Sequence, residues 1–171
     1  RTGSVAHRPR NEPRAAGPRP PAEGTRDAPR PLVTDDREAL ADPRRVVLVV
    51  EDDPPFAEIL RDLARELGFQ CLVAHDAAEG LSLARRYRPV AVVLDVGLPD
   101  QSGLSVLELL KRDPSTRHVP IHVVSVHDCR KVARELGAVG YALKPVQREQ
   151  LVAAFRLLEE RISRRVKGVL V

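Results

Sequence analysis

After Arg45 the chain alternates short apolar runs with segments of helical period. The runs are VVLVV at 46–50, CLVA at 71–74, VAVVLD at 90–95, IHVVS at 121–125 and YAL at 141–143. Between the first two, Phe56, Ile59, Leu60, Leu63 and Leu67 recur at i, i+3, i+4, i+7 and i+11, and Leu151, Phe155, Leu158 and Ile162 repeat the pattern near the end. Both sets describe amphipathic helices. The segments 77–87 and 104–112 are adequate helices, whereas 127–137 offers only Val132, Ala133 and Leu136 as an apolar face. Asp53 before Pro54 and Pro55 marks a helix start, and Gly68 and Gly137 stand where helix C-caps belong. Strands alternating with helices, each gap long enough for a crossover, predict a five-stranded, doubly wound parallel α/β sheet with helices on both faces.

Residues 1–43 do not share this pattern. The first 31 hold seven of the 15 prolines and no Leu, Ile, Phe or Tyr. Too little apolar surface is available there to offset the entropy of ordering, so 1–43 reads as a disordered Pro/Arg-rich linker. The folded domain is expected over 44–162, followed by a basic tail over 163–171. In that tail RRVKGVLV at 164–171 echoes RRVVLVV at 44–50, which leaves two readings open: a ragged basic end, or the first strand of a second copy of the same fold. The chain begins with Arg1 and contains no methionine, and so reads as a piece of a longer protein.

Charge changes the picture only when divided along the chain. The formal net charge of +4 at pH 7 resides in the flanks, and residues 45–162 are close to neutral. The folded body therefore has no basic footprint for nucleic acid. No apolar run approaches the ~20 residues that span a bilayer. Cys71 and Cys129 belong to no CxxC or Cys/His ligand spacing, which argues against a disulfide framework or a zinc site and fits a reducing, cytoplasmic setting. The five histidines, His7, His75, His118, His122 and His127, fall at no ligand spacing and are expected on the surface.

Ligands of open α/β sheets collect beyond the C-terminal ends of the strands. Glu51 and Asp52 follow the first strand, Asp95 ends the third, Ser125 the fourth, and Lys144 follows the fifth. Three carboxylates on one sheet edge repel one another unless a cation joins them, and magnesium suits such a site because it takes few carboxylates and bridges to phosphate oxygens. Taken singly, these residues have plainer roles: helix caps, turn acids, an exposed lysine, turn glycines at Gly97 and Gly103. Together they describe a phosphoryl-transfer site.

The segments VVLVVEDDP at 46–54, VVLDVGLPDQSG at 92–103, VVSVHD at 123–128 and GYALKP at 140–145 closely resemble the receiver domain of two-component response regulators. The resemblance implies a flavodoxin-like sheet of order 2-1-3-4-5. It also implies that Asp95 accepts phosphate from a histidine and that Glu51, Asp52, Asp95 and the Gly97 carbonyl hold Mg2+. Lys144 and Ser125 are then the phosphoryl contacts, and Ser125 and Tyr141 a switch. Phe56 is either core packing or a contact for the phosphodonor, and Tyr141 either half-buried packing or that switch. Lys144-Pro145 is expected to be cis. Val126, where the family has a smaller residue, narrows the entrance.

The implied partners are a histidine kinase or a histidine phosphotransfer domain, with receiver dimerisation a further option. The parent chain is either a hybrid histidine kinase or a separate regulator, and the domain assists its own phosphorylation and dephosphorylation. The rival reading is a phosphorylation-independent pseudo-receiver that docks or dimerises. It calls for loss of Asp95, Lys144 or the acid pair, and all are present. A phosphatase with Asp-x-Asp after the first strand, a flavin protein with a Ser/Thr/Gly-rich loop there, and an Arg-armed DNA reader all fit EDDPP and its surroundings less well.

Overall fold

The computed structural model describes residues 33–169. Five parallel strands, β1 (Val46–Val50), β2 (Gln70–Ala74), β3 (Ala91–Asp95), β4 (Ile121–Ser125) and β5 (Gly140–Leu143), form one sheet of order β2-β1-β3-β4-β5. Five helices connect and follow them: α1 (Pro54–Glu66), α2 (Ala77–Tyr87), α3 (Gly103–Arg112), α4 (Arg130–Glu135) and α5 (Arg148–Val169). This is the doubly wound, flavodoxin-like arrangement expected from the sequence.

The sheet divides the core into two halves. Successive side chains of a strand point to opposite faces, so Val46, Leu48 and Val50 of β1 enter one apolar cluster with α2 and α3, while Val47 and Val49 enter the other with α1 and α5. All five β1 residues are 1% exposed or less, which explains the unbroken VVLVV run. Each such side chain contributes roughly 1.5–3 kcal/mol relative to leaving it in water. On α1 the buried stripe is Ala57, Leu60, Leu63 and Ala64. Ile59, expected on that face, is 52% exposed.

Gly68 and Gly137 end α1 and α4 with φ of +84° and +104°, the left-handed conformation a side chain resists. Asp53 does precede α1, but its side chain makes no cap hydrogen bond. Pro54 and Pro55 fill the first turn, and Pro55, at the second helical position, has no N–H to offer the cap. The weak segment 127–137 yields only the short α4, where Ala133 is buried and Val132 is 45% exposed.

Both flanks of the domain depart from expectation. The expected linker over 1–32 lies outside the described residues, but residues 33–43 are packed against the domain. Val33 is buried in the α1/α5 cluster, and the Asp36 N–H donates to the Cys71 carbonyl at 3.0 Å. These polar residues gain their order from hydrogen bonds to the sheet edge, which composition does not reveal. At the other end α5 runs through Val169, beyond the expected domain end at 162. Ser163–Gly168 are exposed. Helical propensity and the i,i+4 pair Glu160–Arg164 at 2.6 Å extend the helix without an apolar stripe.

His122 also contradicts its expected surface position. It lies on β4 opposite Gly140 and is 5% exposed, and burial lowers its pKa to about 4. Its Nδ1 has no hydrogen-bond partner among the described residues. Gly140 makes the room: a Cβ there would stand 2.5 Å from the His122 Cδ2. An unfolded histidine takes its proton near pH 6.5, whereas this one takes it only near 4. The neutral ring's contribution is therefore complete above pH 6.5 and is lost as pH falls through that window, by about 3 kcal/mol. His122→Leu is expected to flatten the acid limb of stability, measured by urea melts at several pH values. A variant with the wild-type slope would remove His122 as the cause.

Candidate functional site

Parallel pairing brings the C-terminal ends of β1, β3, β4 and β5 to one edge. Val50 pairs with Leu94, Asp95 with Val124, and Ser125 with Leu143. The residues at or just beyond those ends are Glu51, Asp52, Asp95, Ser125 and Lys144, which converge although up to 93 positions separate them. One oxygen from each of Glu51, Asp52 and Asp95 lies within 4.8 Å of the other two.

Glu51 and Asp95 are buried, at 1% and 5% exposure, and Asp52 is more open. Lys144 Nζ donates to Glu51 Oε2 at 2.9 Å and lies 3.5 Å from Asp95 Oδ1. The other Glu51 oxygen accepts the Asp53 N–H at 3.1 Å. Burial, reinforced by the Asp95 charge, pushes the Glu51 carboxyl up to about 7 in spite of these two donors. Burial works against the Lys144 ammonium, but the Glu51 hydrogen bond and the charges of Glu51 and Asp95 outweigh it and hold its pKa above the ordinary value. The Lys144-Pro145 bond is cis, as expected.

The Lys144 ammonium thus pairs with two of the three carboxyl groups, and one of these, Glu51, resists ionising. Such an oxygen-only donor set of small volume and excess negative charge fits a hard divalent cation. Gly97 lies beside it, its N–H donating to Asp95 Oδ1 at 3.3 Å.

The other expected residues hold the surroundings. Phe56 is half-buried against the α1/α5 cluster, and Lys144 Nζ stands 4.7 Å from its ring centre. It therefore supports the lysine through a cation–π contact. Ser125 is 1% exposed, and its Oγ accepts the His127 N–H at 3.0 Å. The Tyr141 hydroxyl donates to the His127 carbonyl and accepts the Cys129 N–H at 3.1 Å. Its ring also packs against the α2/α3 cluster, so the packing role is present. The loop between β4 and α4 is held by a hydroxyl from each strand beneath it. Val126 of that loop is 61% exposed.

Three supporting residues escaped the sequence reading. Gly103 sits so close beneath β3 that a Cβ there would stand 2.0 Å from the Asp95 carbonyl oxygen. Asp100 crosses to α2 and accepts the N–H groups of Ala77 and Ala78 at 2.8 and 3.0 Å. His75 places Nδ1 3.1 Å from the Glu51 carbonyl oxygen. Gly103 was visible as a turn glycine, but its close approach depends on tertiary packing. No local signal marks the other two.

Residues 47–156 match the model of the response regulator receiver domain family. The chain belongs to that family. Among curated relatives, this receiver is 33% identical over 103 residues to the polar-differentiation response regulator DivK of Brucella anthropi, covering 58% of this chain and 84% of DivK. It is 34% identical over 122 residues to the phosphate regulon transcriptional regulatory protein PhoB of Klebsiella pneumoniae, covering 70% of this chain and 53% of PhoB. The receiver thus spans most of DivK and about half of PhoB. Among solved structures, a sensor protein from Polaromonas sp. JS666 superposes with a TM-score of 0.62 at 32% identity, covering 71% of this chain and 98% of that one. The receiver domain of the sensor histidine kinase PA1611 of Pseudomonas aeruginosa, which has a magnesium ion coordinated in its active site cleft, gives 0.61 at 25% identity, covering 70% and 98%. No helix among the described residues is long and apolar enough to cross a membrane.

Proposed function

We propose that Asp95 takes up a phosphoryl group from a phosphohistidine of a partner kinase or phosphotransfer domain. Glu51, Asp52, Asp95 and the Gly97 carbonyl would hold Mg2+ for this step. The observation that carries the reading is the convergence of Asp95 with two further carboxylates and with the Lys144 ammonium 3.5 Å away. A similar receiver, that of PA1611, has magnesium in the corresponding cleft.

The chemistry asks little of the protein beyond positioning and charge. An ionised Asp95 oxygen attacks phosphorus, the P–N bond to the donor histidine breaks, and its electron pair returns to the imidazole. Lys144 is already held at Asp95 and needs only to turn from Glu51 toward the added phosphoryl oxygens. Phe56 supports the lysine from below. The Ser125 hydroxyl gives up its bond with the His127 N–H to reach the same group. That move releases one of the two ties on the β4–α4 loop, leaving Tyr141 to decide the loop's new position. Magnesium, when bound, neutralises the phosphoryl oxygens and the paired acids. Incubation with acetyl phosphate and magnesium should add one phosphoryl group by intact-mass measurement, and chelation should prevent it. A protein that stays unmodified under both conditions would refute the phospho-acceptor reading and favour the docking module.

Proton and cation compete for Glu51. Because its carboxyl is pushed up to about 7, magnesium affinity should rise as pH increases through that value, tracking loss of the proton. Glu51→Gln should bind more weakly and show a flatter profile in calorimetric titrations on either side of neutrality. A wild-type affinity that is constant through neutrality would separate Glu51 from the metal site.

A further inference from the structure

Strands β1 and β2 pair as far as Val50 and Ala74, and the next residue of each leaves the sheet. Glu51 nevertheless stays tied to the end of β2 through both of its main-chain groups. Its N–H donates to the Ala74 carbonyl at 2.9 Å. Its carbonyl oxygen lies 3.1 Å from Nδ1 of His75. A carbonyl only accepts, so the ring carries a proton on Nδ1 and donates it there. An imidazole thus makes the contact at the point where the strand pairing stops.

That carbonyl belongs to the peptide unit joining Glu51 to Asp52, the two acids that follow β1. A peptide unit is planar, so holding its oxygen holds the plane from which both side chains depart. The Glu51 carboxyl has further ties of its own, to Lys144 and to the Asp53 N–H. Asp52 is the more open of the three clustered carboxylates, and its direction follows the main chain that carries it.

The ring is itself carried by a fixed support. The His75 N–H donates to Glu79 Oε2 at 3.1 Å, and the Glu79 N–H donates to Asp76 Oδ1 at 2.7 Å. Asp76 is the N-cap of α2, and Asp100 accepts the first two helical N–H groups, those of Ala77 and Ala78. His75 therefore stands at the bonded start of a helix, one residue before its cap.

We propose that His75 is a positioning residue for the metal site, its Nδ1–H holding the Glu51–Asp52 peptide so that both carboxylates turn toward one cation. This rests on the magnesium reading of the three acids given above. The candidate metal cluster among the described residues consists of carboxylates alone, so the imidazole acts through the peptide and not as a ligand. Outer partners of metal ligands are typically worth 10–100-fold in affinity, and a contact to main chain belongs at the lower end, about tenfold.

The test compares His75→Leu with His75→Asn in the full chain. Leucine fills similar space without a donor, whereas asparagine places an amide N–H where Nδ1 stands. Calorimetric titration with magnesium, in the absence of a phosphodonor, should show about tenfold weaker binding for His75→Leu and wild-type binding for His75→Asn. Without magnesium, the Asp53 amide, which donates to Glu51 Oε1, should exchange faster in His75→Leu and at the wild-type rate in His75→Asn. Both variants should melt near the wild-type temperature. Equal magnesium affinity in the wild type and His75→Leu overturns the proposal, as does an asparagine variant that binds as weakly as the leucine one. A loss of affinity matched by a fall in melting temperature also overturns it, since that marks general loosening. Should His75→Leu fail to fold by circular dichroism, His75→Gln, whose amide lies one carbon farther out, takes its place in both measurements. A wild type that binds no magnesium overturns the metal reading as well, whereas a wild type that binds it alongside an equally good His75→Leu removes His75 alone.

Discussion

Asp95→Asn is expected to reduce phosphoryl uptake from acetyl phosphate to background while leaving the receiver folded. Asparagine preserves the size and position of the side chain at the end of β3 but has no anionic oxygen to attack phosphorus. Asp95 is 5% exposed and 3.5 Å from Lys144, and among the described residues the other carboxylate paired with that lysine is Glu51. Glu51 has both oxygens engaged, by Lys144 and by the Asp53 N–H. The Asp95 charge also helps to push the Glu51 carboxyl up, so its removal should lower that pKa and relieve repulsion. The variant is accordingly expected to melt at or above the wild-type temperature. Loss of the adduct together with retained stability separates a chemical role from a structural one. Persistence of the same adduct in Asp95→Asn would exclude the assigned residue.

Gly103→Ala should be the most damaging of the small substitutions. Its Cβ would stand 2.0 Å from the Asp95 carbonyl oxygen and 2.7 Å from the Val96 Cα. Both are backbone atoms, which cannot swing aside as a side-chain end does, so α3 must shift or the end of β3 must bend. Overpacking of this kind typically costs about 1–3 kcal/mol, and contact with backbone places it at the upper end. Because the backbone displaced is that of Asp95 and Val96, phosphoryl uptake should fall together with the melting temperature. Gly97→Ala is the control: its added carbon meets only Asp95 Oδ2, at 3.8 Å, so stability should be nearly unchanged. Equal melting temperatures for the two variants would show that α3 accommodates the methyl group and that the close approach is not required.

The strands were legible because a parallel sheet covered on both faces needs unbroken apolar runs, and VVLVV and VAVVLD are unbroken for that reason. The site was legible because the sheet rule places ligands past the strand ends, where the acids, the serine and the lysine stand. Helix α4 was legible as a weak element, from its three apolar residues. Ile59 shows the limit of periodicity, since it satisfies the helical spacing and still points to solvent at 52% exposure. His122 shows the limit of composition. Whether a histidine on a strand is wet or dry depends on its neighbour across the ladder, and here that neighbour is Gly140.

The sequence determined which segments are strands and helices, their order along the chain, and the chemical groups available at the strand ends, because periodicity and residue type act over a few neighbouring positions. Only the tertiary structure decided which groups meet. Lys144 donates to Glu51 and pairs with Asp95, Phe56 supports that lysine, and Gly103 lies against the Asp95 backbone. Residues 35–37, polar and rich in charge, satisfy an edge strand more than thirty positions away. Each of these depends on distances between elements remote in the chain, set by how the sheet twists and the helices pack, and no local pattern of residues encodes such a distance.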